Sequence, residues 1–303
     1  IPYFGKFNNY FPLFLKSCEK NYDYNWLIIT DDRSNYEFPK NVRVIYDTFN
    51  DFSKKIKNKF ENVNISLKTP YKLCDFKPTY GYIFKDYISD YDYWGYCDVD
   101  LIFGKINNFI DFNDNDIDRY DKIGVLGHFS IYKNTEEINT MFLKDNRYLS
   151  VLTSENIYKF DEEYGEDFGT SINNLFQKYK KKILPINSFA DIYVKSSDFK
   201  RTIYDSDKHL YMIEKKDKSF YLWNDGVLKK CIIKGNKIVE KEYMYIHLQK
   251  RMMKVNIKFD CNTYKIIPNA FESIENMYFL KKNFNKIKIK NFNLHYFKVR
   301  YKN

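Results

Sequence analysis

Two aspartates stand one residue apart after an apolar run in "YWGYCDVDLIFG", residues 93–104. In an extended strand, the side chains of Asp98 and Asp100 point to the same side. Two carboxylates held close together raise each other's pKa unless a cation lies with them. Mg²⁺ and Mn²⁺ prefer oxygen ligands and often keep phosphate oxygens in their shell. The pattern therefore predicts a divalent metal ion, Mn²⁺ or Mg²⁺, that bridges Asp98, Asp100 and a diphosphate, with a solvated turn as the alternative.

A third ligand is predicted far along the chain, in "YIHLQKRMMK". His247 is one of only four histidines and follows a short apolar run. A histidine at a strand end can complete a metal site, and Lys250 three residues later can neutralise a leaving diphosphate. A structural role is the alternative for a lone histidine, and for His128 in "GHFSIYKN" a hydrogen-bonded core position is favoured.

Two further groups of charged residues are candidates for binding and catalysis. Lys72 and Asp75, with Lys77 beside them, have the i, i+3 spacing that shares a helix face. They are predicted to contact the base, ribose or phosphates of a nucleotide, or else to form a solvated ion pair. The acids of "DEEYGEDFG" precede an apolar helix, where the helix dipole alone favours them. As candidates for a catalytic base they are, in order of preference, Asp167, Glu166, Asp161 and Glu162.

The elements that must position these residues alternate between strand and helix in the first half of the chain. "YNWLIITDD" is a buried strand closed by Asp31 and Asp32, and "NYFPLFLKSCEKN" and "TFNDFSKKIKNKF" are amphipathic helices. This alternation predicts an α/β fold with a mostly parallel, Rossmann-like sheet flanked by helices. Ligands bind at the carboxyl ends of the strands in such sheets, so a cofactor or donor is expected to bind beside Asp31 and Asp32. After residue 185, "NDG" and "KGN" predict a small antiparallel addition.

Composition and charge restrict the class of partner. The net charge of +10 indicates an anionic ligand or surface. A nucleic-acid-binding protein is excluded because the aromatic residues follow core-like stripes and aspartates occupy the candidate cleft. The five cysteines have no paired spacing and indicate a reducing compartment. Because no apolar run approaches the roughly 20 residues of a membrane span, a cytoplasmic protein is predicted.

The C-terminal stretch 276–303 is rich in Lys, Arg and aromatic residues and has no acid. It is expected to lie on the anionic inner face of the cytoplasmic membrane, with a solvated or oligomer-forming tail as the alternative. The predicted organisation is a catalytic domain at 1–251 and a basic, aromatic segment at 252–303.

The stretches around these motifs resemble a known group of enzymes. "IPYFGKFNNYFPLFLKSCEKNYDYNWLIITDD", "YKLCDFKPTYGYIFKDYISDYDYWGYCDVDLIFG", "GHFSIYKN" and "HLQKR" are similar to bacterial glycosyltransferase-like proteins of the GT-A type from capsule and lipopolysaccharide loci. The resemblance covers roughly residues 1–251 and implies a nucleotide-sugar half at about 1–104 and an acceptor half at about 105–251. It implies a metal on Asp98 and Asp100, nucleotide contacts from Asp31, Asp32, Lys72 and Asp75, and a metal-binding histidine with a basic partner at His247 and Lys250. The chain lacks the glycine of the "HxxGxxK" version of that last motif.

The resulting expectation is a metal-dependent glycosyltransferase. It would move a hexose from a nucleotide-diphosphate sugar, a UDP-hexose, to a hydroxyl of a surface glycan or a lipid-linked acceptor. A nucleotidyltransferase is one alternative, although such enzymes usually carry a Gly-rich phosphate loop and "IPYFGKFNN" has a single glycine. A non-enzymatic protein that binds an anionic ligand is the other.

Overall fold

The computed structural model describes residues 1–114, 116–164, 171–196 and 198–274. The α-helices of these ranges are α1 (Phe11–Glu19), α2 (Phe49–Lys59), α3 (Tyr80–Ile83), α4 (Lys85–Ile88), α5 (Glu136–Asn139), α6 (Arg147–Thr153) and α7 (Ile172–Lys178). Short 3₁₀ helices cover Pro70–Thr79, Ile106–Asn108, Ile117–Arg119 and Met141–Lys144. Within the described ranges, no helix combines the length and the apolar character that crossing a membrane requires.

The strands of the first half are β1 (Trp26–Thr30), β2 (Val42–Tyr46), β3 (Tyr93–Cys97), β4 (Leu101–Phe103), β5 (Lys122–Leu126), β6 (Phe129–Lys133), β7 (Ile183–Leu184) and β8 (Ala190–Ile192). Those of the second half are β9 (Arg201–Asp205), β10 (Leu210–Ile213), β11 (Ser219–Asn224), β12 (Val227–Lys234), β13 (Lys237–Tyr243), β14 (Tyr245–His247), β15 (Lys254–Asn256), β16 (Thr263–Ile267) and β17 (Ala270–Ser273).

The first three predicted elements form as expected. Helix α1 buries Phe11, Phe14 and Cys18 at helical spacing. Strand β1 is the predicted apolar run and pairs in parallel with β2. Helix α2 begins after Thr48, whose hydroxyl accepts a hydrogen bond from the N–H of Asp51 and so satisfies one of the free donors of the first turn.

The prediction of a mostly parallel, Rossmann-like sheet flanked by helices is wrong. The described strands form four sheets, in the orders β1-β2, β3-β6-β5-β7, β10-β9-β8-β14-β4 and β13-β12-β11-β16-β17-β15. Among the strands of the described ranges, only the pairs β1–β2, β5–β7, β8–β14 and β15–β17 are parallel. Parallel neighbours need a crossover of a dozen or more residues. Many of the connections here are short turns, such as residues 127–128 between β5 and β6, and these join antiparallel strands.

The antiparallel part is larger than the small addition predicted from the turn sequences. The "NDG" hairpin does form, because Asp225 and Gly226 adopt positive φ between β11 and β12. Strand β13 extends it after the turn at residues 235–236. Strands β15, β16 and β17, from the stretch after residue 251, complete the same six-stranded sheet.

The chain changes sheets at the two aspartates. Strand β3 pairs with β6, whereas β4, which follows β3 after three intervening residues, pairs with β14. Asp98 and Asp100 therefore lie in a turn between two sheets rather than within one extended strand. The main core lies beneath this junction, where α1 packs near β4 and the indole N–H of Trp223 donates to the carbonyl of Phe103 at 2.8 Å.

Candidate metal centre

Strand pairing brings His247 to the two aspartates. Strands β4 and β14 are antiparallel, with His247 opposite Leu101, the residue that follows Asp100. The turn is fixed at both ends, because the N–H of Asp98 donates to the carbonyl of His128 at 3.0 Å and the N–H of Leu248 donates to the carbonyl of Asp100 at 3.0 Å. The D-x-D turn and the strand end that carries His247 are therefore held together by main-chain hydrogen bonds.

The side chains of Asp98, Asp100 and His247 converge. One ligand atom from each lies within 4.8 Å of those of the other two. His247 Nε2 is 3.4 Å from Asp100 Oδ1 and 3.9 Å from Asp98 Oδ2. Neighbouring ligands of an octahedral ion with bonds of about 2.1 Å lie about 3.0 Å apart, so small movements would bring these atoms to coordination distance. Two carboxylates and an imidazole fit a divalent cation.

Asp191, on β8, fixes the histidine ring. Strand β8 runs parallel to β14 with Asp191 opposite His247, and the carboxylate Oδ1 is 2.8 Å from His247 Nδ1. The amide of Gln249 donates to the same oxygen at 2.6 Å. An Nδ1–H bond to a carboxylate leaves Nε2 facing the aspartates, an arrangement that recurs behind metal-bound histidines. Sequence reasoning missed Asp191, and the only indication was an acid inside the short apolar run "FADIYV".

The protonation states of His247, Asp100 and Asp191 depend on one another. Burial opposes the imidazolium form of His247, but Asp100 and Asp191 outweigh it and raise the pKa of His247 well above its usual value. Burial likewise opposes the carboxylate form of Asp100. The pKa of Asp100 nevertheless falls to about 2, because of His247 and the hydrogen bond from the N–H of Lys250. Without a metal ion, the proton on His247 supplies the positive charge that the carboxylates require.

The turn after His247 wraps around Asp100. The N–H of Lys250 donates to Asp100 Oδ2 at 2.5 Å, and the N–H of Arg251 donates to the carbonyl of Leu248 at 2.9 Å. Gln249 and Lys250 both have φ 54°, a left-handed conformation that favours glycine. Lys250 occupies the position of the glycine in "HxxGxxK" and adopts the backbone conformation that glycine would favour there. Its ammonium lies 4.9 Å from the ring centre of Tyr71.

His128 lies beside the centre but does not belong to the set of Asp98, Asp100 and His247. Its ring centre is 4.5 Å from that of His247, and its Nδ1 is 3.1 Å from the hydroxyl of Tyr245. Burial, with the charge of His247, lowers the pKa of His128 to about 4, so the ring is neutral at pH 7. His128 also forms a potential ligand set with Asp191 and His247. Because Asp191 already binds Nδ1 of His247, the set that faces Asp98 and Asp100 is the better centre.

Lys77 connects the centre to the predicted acids of the 161–162 segment. Its ammonium is 2.9 Å from Asp98 Oδ1 and 3.0 Å from Asp161 Oδ2. Glu162 accepts a hydrogen bond from the N–H of Gly127 at 3.3 Å, and a β-carbon at Gly127 would clash with Asp161. Burial, followed by the charges of Asp161 and Glu163, raises the pKa of Glu162 to about 8. Asp167 and Glu166, the preferred candidates for the base, lie outside the described residues.

Lys72 and Asp75 form the i, i+3 pair that the sequence predicted, but the pair is buried. Their atoms are 2.7 Å apart, and the side chains are 2% and 0% exposed. Lys72 also donates to the carbonyls of Val151 and Asn156, while Asp75 accepts from the N–H groups of Tyr158 and Phe160. The pair thus ties the 151–160 segment to the 3₁₀ helix, and the structure gives it partners within the protein.

Asp31 and Asp32 lie in the loop after β1 and bind the neighbouring loop of residues 5–7. Asp31 accepts from the N–H of Gly5 at 2.7 Å, and Asp32 pairs with the exposed ammonium of Lys6 at 2.7 Å. Burial opposes the charge on Asp32, but hydrogen bonds from Lys6, Ser34 and the N–H of Phe7 hold its pKa well below the usual range. Both aspartates support the loop that approaches the D-x-D turn, where Asn8 contacts the carbonyl of Val99.

We expect Asp191→Ala to weaken Mn²⁺ binding about 10- to 100-fold, because His247 loses the partner that orients Nε2. Titration calorimetry with Mn²⁺ measures the loss. Asp191→Asn keeps a hydrogen-bond acceptor but removes the charge that raises the pKa of His247. That variant should therefore move the pH midpoint of Mn²⁺ binding to lower pH. Wild-type affinity in both variants would contradict the assignment of Asp191.

A comparison with curated proteins gives no match. A family model described as a family of unknown function, DUF6625, matches residues 1–275. This match includes Asp98, Asp100, Asp191 and His247 and all four sheets. The chain belongs to the DUF6625 family.

Proposed function

We propose that this protein is a metal-dependent glycosyltransferase that moves a hexose from a nucleotide-diphosphate sugar, a UDP-sugar, to a hydroxyl of a surface glycan or a lipid-linked acceptor. One observation carries the proposal. His247 lies nearly 150 residues after Asp98 and Asp100 in the chain, yet the three side chains present ligand atoms within 4.8 Å of one another. Lys77 links this centre to a buried acid, Asp161, and Glu162, which is half-buried, follows it in the chain.

The donor set favours Mn²⁺ over Mg²⁺. Mg²⁺ binds through oxygen and keeps several waters, whereas an imidazole ligand is better suited to the transition metals. A divalent cation on Asp98, Asp100 and His247 would supply positive charge for the diphosphate as it leaves with its bonding electrons. Lys250, on the turn that binds Asp100, would add a second positive charge for the same anion.

Among the described acids, Glu162 is the proposed base for a reaction that inverts the sugar. Its raised pKa of about 8 lies close to neutral pH, where a base combines partial ionisation with a strong affinity for a proton. The acceptor oxygen would bond to the anomeric carbon, the bond from that carbon to the diphosphate would break, and the hydroxyl proton would pass to Glu162. Asp161 is held by Lys77, and Asp167 and Glu166 remain predictions.

We also propose peripheral contact with the inner face of the cytoplasmic membrane. Support comes from the sequence of residues 276–303 alone, which is basic and aromatic and lies outside the described residues. About 1 kcal/mol for each basic residue near an anionic surface would be enough for reversible binding.

The deciding experiment is a panel of nucleotide sugars with Mn²⁺ and release of the free nucleotide as the measurement. UDP release from one UDP-hexose, stimulated by Mn²⁺, is expected. Pyrophosphate formed from UTP and a sugar phosphate would instead identify a nucleotidyltransferase. Tight binding of UDP with no turnover of any donor would identify a binding protein.

Mn²⁺ binding should depend on pH through His247. Because Asp100 and Asp191 raise the pKa of His247, the ring carries a proton at and below neutral pH, and the metal must displace it. Affinity should therefore rise about tenfold per pH unit until the pH exceeds the raised pKa, and then level off. Calorimetry in buffers with different ionisation enthalpies should show release of about one proton. His247→Asn should bind more weakly and lose this slope, and a wild-type affinity that does not vary between pH 6 and 8 would contradict the prediction.

A further inference from the structure

Lys77 is held between the candidate metal centre and the buried acid Asp161. Its ammonium contacts Asp98 Oδ1 at 2.9 Å and Asp161 Oδ2 at 3.0 Å, and it donates to the carbonyl of Gly127 at 2.8 Å. It also lies 5.4 Å from the ring centre of Tyr96. The side chain is only 14% exposed. Three oxygens and an aromatic face therefore fix a lysine charge directly beside a candidate metal ligand.

Asp98 consequently has two competing partners. One carboxylate oxygen binds Lys77, while the other faces His247 Nε2 at 3.9 Å. A divalent cation on Asp98 would bring two positive charges close to the ammonium, and charges that are partly buried are only weakly screened by salt. Binding of the bare cation therefore has to overcome Lys77.

Asp161 gives Lys77 a second partner. Asp161 is buried, and its Oδ1 has no hydrogen-bond partner among the described residues. Burial raises the pKa of Asp161, while Lys77 favours the charged form. If Asp98 turned to a metal ion, Lys77 would keep the Asp161 carboxylate and the carbonyl of Gly127. The ammonium can thus give up Asp98 without being left unpaired.

We propose that Lys77 is an internal counter-ion that competes with a divalent cation for Asp98, so that the centre binds Mn²⁺ tightly only together with a diphosphate. The negative charge of the diphosphate offsets both the cation and the ammonium. This inference rests on the proposed function, because it takes the three-residue centre to be a metal site. Lys77 is a positioning residue here, since it acts through Asp98.

Titration calorimetry with Mn²⁺, alone and at saturating UDP, tests the proposal. The variant is Lys77→Met combined with Asp161→Asn, because Lys77→Met alone would leave the Asp161 charge buried without a partner. We expect its affinity for Mn²⁺ alone to rise about tenfold, and the gain that UDP brings to Mn²⁺ binding to fall by a similar factor. Lys77→Arg keeps the charge and should keep wild-type affinity. As a matched control, Lys85→Met with Glu136→Gln removes an exposed pair 3.0 Å apart and should change nothing.

Unchanged or weaker binding of Mn²⁺ by the double variant would overturn the role of Lys77. The outcome is separable from that of the proposed function. If the wild type released UDP but the double variant gained no affinity for Mn²⁺, only the proposed role of Lys77 would be wrong. If the double variant gained affinity for Mn²⁺ but the wild type turned over no nucleotide sugar, the proposed glycosyl transfer would be wrong and the role of Lys77 as a counter-ion would stand. If neither protein bound Mn²⁺ even at saturating UDP, both proposals would be overturned.

Discussion

Replacing Asp98 and Asp100 together by asparagine is expected to abolish Mn²⁺-dependent binding of UDP and to reduce sugar transfer by about 10³-fold or more. The loss follows because a metal stabilises the negative charge of the leaving diphosphate in the transition state by several kcal/mol. Each factor of ten in rate corresponds to about 1.4 kcal/mol. The asparagines keep the size of the side chains and remove both negative charges. A thermal shift with Mn²⁺ and UDP, followed by a nucleotide-release assay, measures the two effects.

The chain contains its own matched control. Asp90 and Asp92 have the same spacing, eight residues earlier, and both are exposed. Asp90→Asn with Asp92→Asn makes the same change in charge and should leave UDP binding and turnover within about twofold of the wild type, because most surface substitutions have small effects. Intact binding of UDP and Mn²⁺ in the Asp98/Asp100 variant would remove the basis of the proposed function.

Lys72→Met is expected to destabilise the protein by about 3–5 kcal/mol, because it leaves the buried carboxylate of Asp75 without its ion-pair partner. The substitution also removes the hydrogen bonds of Lys72 to the carbonyls of Val151 and Asn156. The free energy of unfolding, from urea denaturation followed by circular dichroism, measures the loss. Lys72→Met with Asp75→Asn should recover part of it, since no buried charge then remains.

Lys54 provides the comparison for Lys72. It pairs with Asp51 at the same spacing of three residues, but both side chains are more than half exposed. Lys54→Met should therefore change the free energy of unfolding by less than about 1 kcal/mol. Equal effects of the two substitutions would show that burial of the Lys72–Asp75 pair contributes little to stability.

Local structure followed from local sequence where one periodicity dominated. The apolar run that ends at Thr30 formed a strand, Phe11 and Phe14 lie on the buried face of a helix, and Asp225-Gly226 forms a hairpin turn. The sheet pairing did not follow, because a strand that is apolar throughout can be buried next to either a parallel or an antiparallel neighbour. The two-residue turn at Gly127 and His128 joins the antiparallel strands β5 and β6, whereas the sequence of this stretch is compatible with either a strand pair or one long strand.

The candidate site was predictable in part. Asp98, Asp100 and His247 were identified by residue type, and the structure brings them together. The prediction that the aspartates share one face of a strand is wrong, since both lie in a turn between two sheets. Asp191 was missed because its importance depends on pairing between β8 and β14, from segments more than 50 residues apart.

The sequence by itself determined which residues can bind a cation, where the chain is apolar enough to form strands and helices, and that Lys72 and Asp75 can pair. Only the tertiary structure decided which charges meet. The Lys72–Asp75 pair is buried, whereas the pair of Asp51 and Lys54 at the same spacing is exposed to water. The fold also places Lys77 between Asp98 and Asp161. Spacing along the chain sets only local neighbours, whereas the strength of a charge interaction depends on distance through space and on exposure to water.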